Sequence, residues 1–154
     1  KEPKANGDPF TSELQGMDNV ILTPHIGGST AEAQSDIGAF VAGKLIDFLN
    51  LGNTSMSVNL PNLSLPPAPT AAGRLCFMHH NVPGVMARLN DVLGQDSVNV
   101  EGQALATAGS IGYAITDVGS VLSPQILERI EGSNAAIKVR YLPLGGTRRG
   151  PAGH

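Results

Sequence analysis

Two short stretches of the 154-residue chain gather side chains that can move a proton or hold a small polar ligand. The first is Thr23-Pro24-His25-Ile26-Gly27-Gly28. Imidazole titrates near pH ~6.5, so His25 is suited to proton transfer, and the two glycines after it would let backbone approach a flat ring closely. The same spacing also suits a histidine that fills a turn, and six residues alone do not separate the two readings. The second stretch is His79-His80-Asn81-Val82-Pro83-Gly84-Val85. With Pro83 in its first turn and Gly84 beside it, a helix starting here would have free amide donors, and such a terminus attracts a carboxylate. His79 and Asn81 flank it with further donors and acceptors. Taken locally, the pattern favours a capped helix start with solvent-facing side chains.

The elements that must position these residues can be read from periodicity. Val20-Ile21-Leu22 is a short apolar run between Asp18-Asn19 and Thr23-Pro24, and it predicts a buried parallel strand. His25 would then stand at the carboxyl end of that strand, where open α/β sheets bind ligands. Ser29-Thr30-Ala31-Glu32 fits a capping box, with Ser29 and Glu32 satisfying free amides, so a helix is expected over residues 30–50. Ala33, Ile37, Phe40, Val41, Lys44, Leu45, Phe48 and Leu49 form its apolar stripe, and Leu51-Gly52-Asn53 stops it. Met56-Ser57-Val58 reads as an extended connector. Residues 61–73 are rich in proline, which denies helix and ladder bonding alike, and read as an extended, semi-rigid linker.

Beyond the linker the pattern tightens. Residues 74–80 alternate as a strand. Pro83 and Gly84 open a helix with Val85, Met86, Leu89, Val92 and Leu93 on one face, closed by Gly94. Residues 97–107 and 111–119 read as two strands joined by a turn at Ala108-Gly109-Ser110. Residues 124–131 form a second short helix, capped by Ser123, with Ile126, Leu127 and Ile130 inward and Gly132 as stop; residues 136–142 are a last strand. The order is βαββαβ, a ferredoxin-like split βαβ unit. Residues 143–154 lack periodicity and read as a disordered tail. Cys76 alternates into a strand as a small core hydrophobe. Asp91, Asp96 and Asp117 read as unpaired, solvated charges, and Asn99 taken alone is an ordinary exposed strand residue.

Composition narrows the function classes. Hydrophobic residues make up 41% and charged residues 15%, which suits a packed core. A net charge of −3 with scattered basic residues argues against nucleic acid and anionic membrane as partners. A single cysteine allows no internal disulfide, no metal-ligand spacing is visible, and a reducing, cytoplasmic setting is expected. No apolar stretch is long enough to span a bilayer, and no signal peptide is visible. The chain opens at Lys1 without Met, in polar sequence, and so reads as part of something longer.

The run from Asp8-Pro9-Phe10 through Asn19-Val20-Ile21-Leu22-Thr23-Pro24-His25-Ile26-Gly27-Gly28-Ser29-Thr30, continuing to Glu32-Ala33-Gln34 and Val41-Ala42-Gly43-Lys44-Leu45, closely resembles the D-3-phosphoglycerate dehydrogenases, within the broader D-2-hydroxyacid dehydrogenase family. The resemblance covers residues 1–142 and implies an α/β chain. Residues 1–60 would be the C-terminal end of a Rossmann-type NAD-dependent catalytic unit with its returning helix. Residues 61–73 would be a linker and residues 74–142 an ACT regulatory domain of α+β type. It implies an NAD-dependent oxidoreductase converting 3-phosphoglycerate to 3-phosphohydroxypyruvate, the first step of L-serine biosynthesis. His25 would be the catalytic acid/base, accepting the hydroxyl proton as hydride leaves for the nicotinamide, with His25, Ile26, Gly27 and Gly28 lining the cofactor.

In the ACT domain of serine-inhibited members, His79, Asn81 and Asn99 would bind L-serine as an allosteric ligand across a subunit interface of a homo-oligomer. The family's Gly-x-Gly-x-x-Gly fingerprint, substrate-binding arginine and histidine-orienting carboxylate cannot be placed in the chain, so this stretch alone is expected to be catalytically silent. Val82 and His80 stand where relatives often carry charged residues, and Ala71-Ala72 where some carry a Gly-Gly hinge. The alternative reading is a stand-alone ACT-type module for amino-acid binding and dimerisation, pairing edge strands about a two-fold axis.

Overall fold

The computed structural model of the chain describes residues 9–23 and 26–144. Two compact units divide it, Lys1–Phe40 and Val41–His154. In the first, side chains tie local turns together: Leu14 N donates to Ser12 Oγ at 3.2 Å, and Gln15 Nε2 to the Phe10 carbonyl at 3.1 Å. The expected strand at Val20-Ile21-Leu22 is not formed. Ile21 is 91% exposed, and the Val20 amide closes a turn on the Met17 carbonyl. A strand exists only as a rung of a ladder, and no described strand lies beside this one. A Rossmann-type sheet is therefore not found among the described residues.

Helix α1, Ala31–Leu51, forms almost where the pattern put it. Its cap is Thr30 rather than Ser29: Thr30 Oγ1 accepts from the Ala33 amide at 3.1 Å, and the expected Ser29/Glu32 box is replaced by this single bond. The apolar stripe along α1 is exposed, with Ile37, Phe40, Val41, Leu45 and Leu49 between 47% and 60% accessible. Gly52, at φ 72°, ends the helix in the left-handed region, and its amide donates to the Phe48 carbonyl at 2.9 Å.

The second unit is built on four strands: β1 (Gly73–His80), β2 (Val100–Ala108), β3 (Ile111–Val118) and β4 (Ala136–Pro143). Helix α2 (Val85–Gln95) follows β1, and α3 (Pro124–Glu131) follows β3. The sheet order is β2-β3-β1-β4, with every neighbouring pair antiparallel. This βαββαβ arrangement is compatible with an ACT-like domain. Both helices pack on one face, over a core that includes Leu75, Phe77, Leu89, Leu93, Ala114, Val118, Ile126, Ile130 and Val139. Each fully buried aliphatic side chain there contributes about 1.5–3 kcal/mol. Helix α3 has the bounds its pattern predicts: Ser123 Oγ accepts from the Ile126 amide, and Pro124 occupies the first turn. Helix α2 starts at Val85, two residues after Pro83, where the pattern put its first turn, because Gly84, at φ 81°, is its cap; Pro83 therefore precedes the helix. It also continues through Gly94 to Gln95.

The opposite face of the sheet is covered by the chain between α1 and β1. Leu63 and Leu65 pack on Cys76, Tyr113 and Ile115. Cys76 is buried, as expected of a core hydrophobe. Buried Thr54 is satisfied twice over, its amide donating to the Leu63 carbonyl and its hydroxyl to the Pro61 carbonyl at 2.6 Å. Met56-Ser57-Val58, expected as an extended connector, is a turn with Met56 at φ 67°.

Candidate functional site

His79 is the last inward-facing residue of β1. It lies on the helix side with Leu75 and Phe77, and its ring centroid is 5.1 Å from that of Phe77. The sequence reading places it beside an exposed helix start, but the structure buries it, leaving 2% accessible. Room for the ring exists because Gly112 is its partner on β3: a Cβ there would approach Nε2 within 2.6 Å and Nδ1 within 2.9 Å. Nδ1 lies 2.8 Å from the His80 carbonyl. A carbonyl only accepts, so Nδ1 carries the proton, and in the neutral ring Nε2 is left as an acceptor. Nε2 is buried and has no partner among the described residues. An orphaned buried acceptor calls for a donor from outside them.

Asn81 follows at the same end of the sheet. Its amide donates to the Ser110 carbonyl at 2.8 Å, and Nδ2 to the Gly109 carbonyl at 3.1 Å, fixing the β1–α2 loop against the β2–β3 hairpin. Asn81, Pro83 and Gly84 are exposed, and no side chain caps the amides that open α2. The start of this helix thus offers free donors one short loop along the chain from the strand that carries the orphaned imidazole.

Asn99 is elsewhere. It precedes β2 at the end where Val100 pairs with Val118, whereas the Asn81 loop meets the hairpin beyond Ala108. Nine residues of extended chain separate the ends, roughly 30 Å. One chain therefore brings His79 and Asn81 together but leaves Asn99 far away, where its Nδ2 donates to Glu101 Oε1 at 2.9 Å. Glu101 Oε2 accepts from the Thr70 hydroxyl at 2.7 Å, and these two bonds hold the Glu101 carboxyl below its usual pKa, Thr70 contributing the larger share.

Of the other sequence-predicted site residues, His25 lies outside the described residues. Ile26 is 54% exposed, and Gly27 sits in an open turn with nothing within 4 Å of a built Cβ. Gly28 accepts through its carbonyl from Gln34 Nε2 of α1. Asp117, expected to be solvated, is wholly buried. It takes a bidentate ion pair from Arg74, with Nε–Oδ1 at 2.6 Å and Nη2–Oδ2 at 2.9 Å. Asp96 is likewise paired, with Arg129. The sign that could have revealed Asp117 is a lone carboxylate inside the apolar strand 111–119. A second feature unread in the sequence is a groove of about 310 Å³ between α2 and α3, floored by Phe77, Leu89 and Ile130.

A search of family models finds no match. Among curated relatives, D-3-phosphoglycerate dehydrogenase of Escherichia coli K12 is 43% identical over 143 residues, covering 92% of this chain and 34% of that protein. Over that stretch the chain is similar to the D-3-phosphoglycerate dehydrogenases. The Dictyostelium discoideum enzyme is 43% identical over 142 residues, and D-3-phosphoglycerate dehydrogenase 2 of Saccharomyces cerevisiae 39% over 155. The chain spans about a third of the length of these curated relatives. Among solved structures, a quorum-quenching acylase, GqqA, aligns over 59% of the chain and 51% of its own at 22% identity and a TM-score of 0.38. Among the described residues, no cluster of His, Cys, Asp or Glu could hold a metal ion, and no helix is long and apolar enough to cross a membrane.

Proposed function

We propose that residues 73–143 form an ACT-type regulatory module that binds L-serine at a two-fold interface, within an NAD-dependent D-3-phosphoglycerate dehydrogenase. The observation that carries the binding reading is the orphaned Nε2 of His79 beside the uncapped start of α2. An amino acid has the matching groups: a carboxylate for the helix amides and an ammonium or hydroxyl donor for Nε2. Serine is favoured among amino acids by the relatedness to enzymes of that name and by the motif His-x-Asn-x-Pro-Gly-Val.

The distance to Asn99 supports a shared site. β2 is an edge strand with exposed Val100 and Leu105. If it pairs antiparallel with its two-fold mate about the midpoint of Gln103 and Ala104, Asn99 of each protomer lies opposite Ala108 of the other, next to Asn81. Two equivalent sites then form per dimer. Calorimetry with L-serine on the 154-residue chain is the direct test. Saturable heat at one serine per chain, abolished by Asn81→Ala and by Asn99→Ala, is expected; an absence of heat in a sample shown by sizing to be dimeric would reject the module's role.

For the catalytic reading, relatedness to proteins named as dehydrogenases is the support. The open backbone of Ile26, Gly27 and Gly28 fits a wall against which a nicotinamide could lie, and bound NAD would supply the hydride acceptor. His25 would take the substrate hydroxyl proton. In the full-length enzyme His25→Ala should abolish turnover of 3-phosphoglycerate and leave NAD binding intact; near-normal turnover would overturn the assignment.

A further inference from the structure

Residues 61–73 read in sequence as an extended linker, and Ala71-Ala72 stand where relatives can carry a glycine hinge, yet the whole segment 52–72 is braced within itself and bonded to the sheet at both ends. The Tyr113 hydroxyl donates to the Gly52 carbonyl at 2.7 Å. Asn53 Oδ1 accepts from the Leu65 amide at 3.1 Å, and Thr54 and Leu63 bond each other. The Ala68 amide donates to Asp117 Oδ2 at 2.8 Å, and the Thr70 hydroxyl donates to Glu101. Ala72 itself is a rung of the sheet: its amide donates to the Val118 carbonyl at 2.8 Å, and its carbonyl accepts from the Leu144 amide at 3.0 Å.

The last turn of α1 is fastened to the same face. Arg74 Nη1 donates to the Leu51 carbonyl at 2.9 Å, and Arg140 donates to the Phe48 carbonyl while its guanidinium lies 4.4 Å from the Phe48 ring centroid. Arg74 thereby satisfies a carbonyl that the helix end leaves free, and Arg140 adds a second donor to the Phe48 carbonyl, which also accepts from the Gly52 amide. Arg74 and Asp117 are both wholly buried, and between them they hold the sheet (through β1 and β3), the end of α1 and the segment at Ala68.

We infer that residues 52–72 are a strap and not a hinge, locked by the Arg74–Asp117 pair. The regulatory module then moves as one body with the last turn of α1, and any pivot between it and a catalytic unit lies upstream of Phe48. This inference stands whether or not the module binds serine. Proline suits the role, since it holds an extended path without needing ladder bonds of its own.

Residue-resolved hydrogen exchange on the 154-residue chain tests it. The amides of Thr54, Leu63, Leu65, Ala68 and Ala72 should be protected to within about tenfold of the β1 and β3 amides, because they open only when the sheet does. In Asp117→Asn, which keeps the shape but loses the charge-assisted bonds, Ala68 and Leu65 should exchange at least tenfold faster while β1–β3 stay protected. Tyr113→Phe serves as a milder variant, expected to speed exchange at 52–54 alone. Wild-type strap amides exchanging at free-peptide rates over a protected sheet would overturn the inference, and so would variants that leave strap protection unchanged.

Discussion

Replacing Asp117 by alanine is expected to cost the module a large part of its stability, and the structure allows the size to be worked out. Both partners of the Arg74–Asp117 pair have 0% side-chain exposure, so the substitution leaves a guanidinium in a dry site. Its remaining described bond is the single one from Nη1 to the Leu51 carbonyl. Breaking a buried pair from one side costs about 3–5 kcal/mol, because an uncompensated charge remains. The Ala68 amide also loses its acceptor, adding on the order of 1 kcal/mol. Against a total of about 5–15 kcal/mol for a domain this size, roughly a quarter or more of the stability is removed. The corresponding drop in Tm is on the order of 15–50 °C. Urea titration followed by far-UV circular dichroism reads it as a lower midpoint at unchanged slope. The double variant Arg74→Met/Asp117→Leu removes both charges and their desolvation, and it should return to within about 2 kcal/mol of wild type. A loss under about 1 kcal/mol in Asp117→Ala, or a double variant as unstable as the single, would refute the reasoning.

Burial raises the pKa of the Tyr113 phenol well above its ordinary value of 10.0, with the neighbouring Cys76 adding to the effect. A group whose folded pKa is raised contributes stability that is present below its unfolded pKa and lost as pH climbs through the folded one. Wild-type stability should therefore fall as pH rises past ~10, and Tyr113→Phe should flatten that fall; parallel wild-type and variant curves between pH 9 and 11.5 would exclude it. Gly112→Ala should displace the His79 ring, since the added Cβ would stand 2.6 Å from Nε2. On the proposed serine-binding reading, affinity for serine should weaken at least tenfold, about 1.4 kcal/mol, and an unchanged isotherm would show that the ring's placement does not matter to binding.

The legible parts of the sequence are those whose signals are local. Helix α3 announces itself by Ser123 and Pro124 at one end and Gly132 at the other, with Ile126 and Ile130 one turn apart. Strands β1, β3 and β4 alternate between two packed faces and could be placed within a residue or so at each end. What was missed depends on pairing. Asp117 reads as a solvated charge until β1 and β3 are laid in register, which sets Arg74 directly opposite it across 43 positions of sequence. The prolines of residues 61–69 correctly exclude a ladder, but they do not reveal that Leu63 and Leu65 alternate onto the sheet. Val20-Ile21-Leu22 fails as a strand for the converse reason: an apolar run specifies a strand only where a neighbour exists to bond it. The burial of His79 follows from Gly112, whose missing side chain has meaning only once the strands are paired.

On the proposed serine-binding reading, the placement of His79, Asn81 and Asn99 would couple ligand binding to assembly. Because His79 and Asn81 sit at one end of the sheet and Asn99 at the other, no single chain can present all three to one small molecule, so a ligand that needs them all binds only the paired state. By linkage such a ligand must tighten the dimer by the factor by which dimerisation tightens the ligand. The Asn99 end is also the strap end. Glu101 is shared there, one oxygen taken by Asn99 and the other by Thr70 of the strap. A ligand that drew the Asn99 amide toward the partner's Asn81 would leave Glu101 held by Thr70 alone. On that reading the nearest structural consequence of occupancy would fall on the strap, which is bonded in turn to α1 through Asn53 and Asp47, so an effect on a catalytic unit would travel through that fastening and not through a loose linker.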